Sequence, residues 1–230
     1  MIFSMVDFSS VIPQEIRRAR RVLIKPYAPS PDRAIRREIL ERIIARIRRE
    51  GEADILLLES SPADLNMDYI YREAGYDFPH QVLMLDAHDF KSIAVENPLK
   101  TPFALPTIWI PNILLSCDFL ISVSPLRIEE GEGRFSIENL LSLLPGERYA
   151  GKNAVHLLGM DRVIADLYFT FPFDLGIVDG GEEIFAGEPY EVDREVAELF
   201  EAKADYLDLI QQGEKQLNSI RDAVGSPAVR

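Results

Sequence analysis

The most constraining feature of this sequence is a series of short apolar runs, each a strand's length, alternating with longer amphipathic stretches. Arg21 to Lys25 (RVLIK), Ala53 to Glu59 (ADILLLE), Val82 to Leu85, Phe119 to Ser124 (FLISVS) and Leu175 to Val178 are such runs. Apolar along most of their length, they read as strands buried on both faces rather than as alternating half-buried ones. Strands separated by helices argue for an α/β fold: a mostly parallel sheet with helices on both faces, three-layered and Rossmann-like.

The intervening segments carry helical signals. Ser30-Pro31-Asp32 has a capping residue, a proline suited to a first helical position and an acidic first turn. Ile35, Ile39, Leu40, Ile43, Ile44 and Ile47 then recur at helical spacing up to Gly51. Asp32 with Arg36, Glu38 with Arg42 and Arg46 with Glu50 stand one turn apart, the pattern of a solvated outer face. Residues 64–74, 137–144 and 160–170 are expected to be helical, with Ser61 or Asp64 as cap for the first. Residues 90–95 suit an edge hairpin and 112–117 a helical turn. Glu191 to Ile220 reads as a long acidic helix or pair of helices, a C-terminal extension (191–230) whose tail from Gly225 frays. One domain over residues 1–230 is expected.

Charge narrows the function classes. The net charge is −13, with +6 over residues 1–50 and −19 over the rest. An acidic bulk repels a phosphate backbone, and the arginines of the basic third have acidic neighbours, so no nucleic-acid role is expected. Residues 1–13 lack a basic leader region, and the most apolar stretch, 108–123, is broken by Pro111, Asn112 and Asp118. A cytoplasmic protein without membrane contact is the expectation. Cys117 stands alone, so no cofactor is expected to be bound through cysteine; its sulfur reads as a small buried apolar group.

In parallel sheets the ligand crevice lies beyond the carboxyl ends of the strands. Lys25, Ser60, Ser61, Asp86, Ser124 with Arg127, and Asp179 all fall at strand exits, and parallel order would bring them to one rim. Lys25 and Arg127 would clamp an anion, with Ser60, Ser61 and Asn139 as further ligand-binding groups. Asp179, beside Gly180 and Gly181, would act as general base or metal ligand. Each has a structural alternative. Lys25 can pair with Glu59, the serines can serve the turn, and the glycines can simply be the turn. His80, Asp86, His88 and Asp89 match no closed metal motif, and His156 is expected to be structural.

Four pieces of the sequence resemble the domain of unknown function 362 family. They are VLIKP (22–26), LLLESS (56–61) with AGY (74–76), CDFLISVSPLR (117–127), and ENLLSLLPGERYAGKNAVH (138–156) leading into IADLYFTFPFDLGIVDGGEEIFAGEP (164–189). Members commonly carry a lysine-rich segment after the fourth strand and then a Lys-Asn pair. Here Pro125-Leu126-Arg127 and Glu138-Asn139 stand in those places, and the ferredoxin-like cysteine module of many members is missing. The resemblance implies the α/β fold and leaves the activity open. Two functions are carried forward: binding of a small anionic molecule at the sheet's carboxyl rim, catalytic or not, and a non-catalytic partner of an iron–sulfur or redox system. A protein partner or homo-oligomer fits either.

Overall fold

Five apolar runs do become parallel strands, in a computed structural model that describes residues 2–4, 8–62, 64–78, 82–149, 152–171 and 173–224. They are β2 (Arg21–Pro26), β3 (Asp54–Glu59), β4 (Val82–Asp86), β7 (Phe119–Pro125) and β10 (Leu175–Asp179). Strands β5 (Ser92–Glu96) and β6 (Thr107–Pro111) pair with each other in a separate antiparallel ribbon. A second ribbon, β8 (Arg127–Glu129) with β9 (Glu132–Arg134), turns through Glu130 and Gly131, both at positive φ. Positive φ at both central residues matches the twist of a tight hairpin.

The seven-stranded sheet runs β1-β11-β10-β7-β2-β3-β4, where β1 is Ile2–Ser4 and β11 is Glu183–Gly187. Both of these pair antiparallel, β11 with β10 and β1 with β11. The run at 175–178 was expected to be the last strand, and β11 escapes notice because its apolar residues are few and flanked by acids and glycines. Once folded, Ile184, Phe185 and Ala186 are fully buried.

Helices cover both faces. On one, α1 (Arg37–Glu50) and α2 (Met67–Glu73) pack with Val22, Ile24, Ile55, Leu57, Ile121 and Ile177. On the other lie α4 (Met160–Thr170), α5 (Pro189–Leu199) and α6 (Asp205–Val224), with α3 (Lys152–Leu158) preceding α4. The acidic C-terminal stretch is thus two helices. Val196 and Leu207 of its apolar stripe are buried, while Leu199 and Phe200 are exposed. The frayed tail expected from Gly225 lies outside the described residues. No helix among the described residues is long and apolar enough to cross a membrane.

Three local expectations are corrected. Pro31–Arg33 forms only a 3-10 turn, and α1 begins at Arg37 after an extended link. Tertiary partners stop the helix from starting earlier: Ile35 N–H donates to Tyr27 O, and Tyr76 Oη to Ile35 O. The helix from residue 64 starts instead at Met67, because Asn66 accepts the Asp68 N–H and caps it. Residues 137–144 give a 3-10 segment, Glu138–Leu143, rather than an α-helix. Its Asn139 side chain is drawn into the sheet, as described next.

Candidate functional site at the carboxyl rim of the sheet

Parallel register carries the expected rim residues to one edge. Lys25 pairs with Ser122, Glu59 with Asp86 and Asp179 with Pro125, so β2, β3, β4, β7 and β10 all end on the same side. The rim separates into four constellations.

The innermost is buried. Lys25 has no exposed surface, and its ammonium donates to Glu59 Oε2 at 2.6 Å, Asn139 Oδ1 at 3.0 Å and the Pro26 carbonyl at 2.9 Å. The three donor hydrogens of a lysine are thereby all used. Glu59 also accepts from Ala28 N, Ser60 N and Ser142 Oγ. Asn139 donates to Ser122 Oγ and to the carbonyls of Lys25 and Val123, which locks the 3-10 segment onto β2 and β7. Burial pulls the Lys25 pKa below the usual lysine range, opposed by the adjacent Glu59 carboxylate. This network is a satisfied floor, and it realises the Lys25–Glu59 pairing that the sequence offered as the alternative to a free ammonium.

The second constellation is cationic and faces outward. Tyr27, in the loop after β2, accepts at its hydroxyl from Arg33 at 3.1 Å and from Arg127 at 3.1 Å. The Arg127 guanidinium also stacks over the Tyr27 ring, 4.3 Å from the centroid. Arg127 forms an ion pair with Glu138, whereas Arg33 is exposed and has no ion-pair partner among the described residues. Just behind, Ser124 Oγ and Arg127 Nε are buried without a hydrogen-bond partner among the described residues. Unspent polar atoms of this kind call for an explanation. Tyr27 and Arg33 were not singled out in the sequence. The proline-framed aromatic of residues 26–29 is the one local signal that could have drawn attention to Tyr27, and no local signal marks Arg33.

At the β10 end, Asp179 is almost fully buried and is held by Arg36. Nε donates to Oδ2 at 2.8 Å, and a second nitrogen donates to Oδ1 and to Gly181 O at 2.7 Å. Gly181 N–H returns a hydrogen bond to Oδ1 at 2.9 Å. Gly181 takes φ +93, and Gly180 admits the close approach of Glu183 O. Arg36 therefore serves Asp179 rather than Asp32.

At the β3–β4 end, Ser61 Oγ and Asp86 Oδ1 both lie against His88 Nδ1, at 3.3 and 3.0 Å. Both contacts fall on one ring nitrogen, so this is no nucleophile–base–acid relay, in which serine and carboxylate would flank opposite nitrogens. The His88 side chain is half-exposed, and its tautomer sets whether Nδ1 donates to Asp86 or accepts from Ser61 Oγ. Burial acts to raise the Asp86 pKa, but hydrogen bonds from Ser61 and the His88 amide bring it below the ordinary carboxylate value. His80 lies outside the described residues. His156 is exposed on α3, and Cys117 is half-buried in the link just before β7. No group of three or more potential metal ligands occurs among the described residues.

A family model described as a domain of unknown function (DUF362) matches residues 22–197. A search of curated proteins returned no match. Among solved structures, the lactate racemase apoprotein from Thermoanaerobacterium thermosaccharolyticum is similar, with a TM-score of 0.60 and 12% identity, over 85% of this chain and 55% of that one. A crystal structure of a Thermotoga maritima protein aligns with a TM-score of 0.51 and 11% identity, over 90% of this chain and 58% of that one. The chain thus spans little more than half the length of either. At such identities the likeness is one of fold: a mostly parallel sheet with helices.

Proposed function

The chain belongs to the DUF362 family, and we propose that it binds a small anionic ligand, a carboxylate or phosphate, at the carboxyl rim of its sheet. The observation that carries this reading is the convergence of Arg33 and Arg127 on the Tyr27 hydroxyl. Two guanidinium groups held on one phenol oxygen raise the positive potential where strands of a parallel sheet end. Glu138 offsets one of the charges, and Arg33 supplies the other uncompensated.

Lys25 and Asn139 take part as the floor that sets the β2 and β7 ends. Ser60 and Ser61 follow directly after β3, Ser60 donating its amide to Glu59 of the same floor. Asp179 acts through Arg36, fixing the loop from which Arg33 projects. The fold neighbour's name contains lactate, a small hydroxycarboxylate, and that makes lactate a natural probe alongside inorganic phosphate.

The test is thermal stabilisation of the purified chain by inorganic phosphate and by lactate, with Arg33→Gln and Arg127→Gln in parallel. The parent melts higher with one of the two anions, and each variant loses most of that rise while keeping its ligand-free far-UV spectrum. Equal rises in parent and variants, or none in the parent with either anion, would sink the reading.

A further inference from the structure

The seven-stranded sheet ends in strands of very different character. On one side β1 has three residues. On the other, β4 is Val82-Leu83-Met84-Leu85-Asp86, and no described strand pairs with its outer side. Leu83 is 56% exposed and Met84 39%, although alternation sends their side chains to opposite faces. Both are uncovered because the strand lies at the margin. Native edges are ordinarily blunted by lysine, proline, a bulge or shortness. Within its five residues β4 has no lysine, no proline and no charge before its last residue.

We propose that β4 pairs antiparallel with the β4 of a second copy, joining two sheets edge to edge about a two-fold axis at Met84. Self-pairing is favoured by where the single charge sits. In this register Met84 faces its own symmetry mate, Leu83 faces Leu85, and Asp86 faces Val82. The two Asp86 carboxylates then stand four residues apart along the strand, about 13–14 Å at ~3.4 Å per residue. That exceeds the ~8–10 Å screening length near physiological salt. Asp86 is moreover occupied at home, accepting from the amides of Ser61 and His88. The strand is a neutral, self-complementary window in a chain of net charge −13.

Charge also separates a second copy from a basic partner. Two bodies of like charge repel, so salt strengthens their association, whereas salt weakens binding to a cationic partner.

The experiment is sedimentation of the full chain from sub-micromolar to several hundred micromolar, at low and high sodium chloride. A concentration-dependent dimer, tightened by salt, is expected. Leu83→Lys shifts dissociation to at least tenfold higher concentration with the melting temperature unchanged, while Leu199→Lys, at an exposed site on α5, does not. As a second readout, Met84→Cys in a Cys117→Ser background cross-links to a covalent dimer on mild oxidation. Paired residues in an antiparallel ladder lie about 4.5–5.5 Å apart between Cα atoms, within disulfide reach. A chain that stays monomeric throughout, a dimer indifferent to Leu83→Lys, or a Met84→Cys variant that does not cross-link overturns the proposal.

Discussion

Arg36 reaches from the link before α1 to Asp179 at the end of β10, across 143 residues of sequence, and grips its carboxylate with two nitrogens. A third hydrogen bond, to the Gly181 carbonyl, ties the same guanidinium to the β10–β11 turn. One side chain thereby fastens the first third of the chain to the last strands of the sheet.

Removing that clamp has a predictable cost. Asp179 is nearly buried while Arg36 is 43% exposed, so solvent screening limits the loss. Arg36→Ala is expected to destabilise by about 1–2 kcal/mol, and Arg36→Lys to recover little, because an ammonium cannot reproduce the fork. Urea denaturation of the three proteins checks the order.

The Lys25–Glu59 pair is a different case, since neither side chain is exposed beyond 3%. Lys25→Met leaves a buried carboxylate without its cation and is expected to cost about 3–5 kcal/mol. The double variant Lys25→Met/Glu59→Gln removes both charges and should be markedly more stable than Lys25→Met alone. A double-mutant cycle by chemical denaturation measures the coupling.

Asp193 on α5 sets a pH dependence. Its carboxylate is fully buried and accepts from Ser136 N, Ser136 Oγ, Ile137 N and Tyr206 Oη. Burial nevertheless pushes its pKa up to about 6, against the hydrogen bonds that hold it down. The folded chain then binds this proton more tightly than the unfolded chain, whose carboxyl titrates near ~3.9. Between these values the native state carries more protons, so this group's contribution to stability falls as pH rises from about 4 to 6, by roughly 2–3 kcal/mol. Asp193→Asn, although less stable, should lose that slope in denaturation midpoints measured across the window.

Gly213 lies within α6, where alanine would ordinarily gain about 1 kcal/mol in helix propensity. A Cβ there would overlap the Phe169 ring. Gly213→Ala is therefore expected to destabilise by about 1–3 kcal/mol through overpacking. Gly213→Ala combined with Phe169→Leu should regain part of the loss by thermal melting.

The sequence by itself determined the elements whose signals are local. Apolar runs too dense to alternate became the parallel strands, buried in all but the edge strand β4, the isoleucine spacing became the inner face of α1, and the exits of those strands fell on one rim. A short strand among acids and glycines, β11, left too few apolar residues to register. Tertiary structure alone decided how the rim's polar groups were spent. Arg36 could serve Asp32 one turn away or Asp179 across the sheet, and Lys25 could face solvent or Glu59. Local spacing leaves such choices nearly equal, because a surface pair on a helix is worth only a few tenths of a kcal/mol. Burial breaks the tie: a carboxylate or ammonium enclosed by packed strands must find its partner wherever the fold brings one.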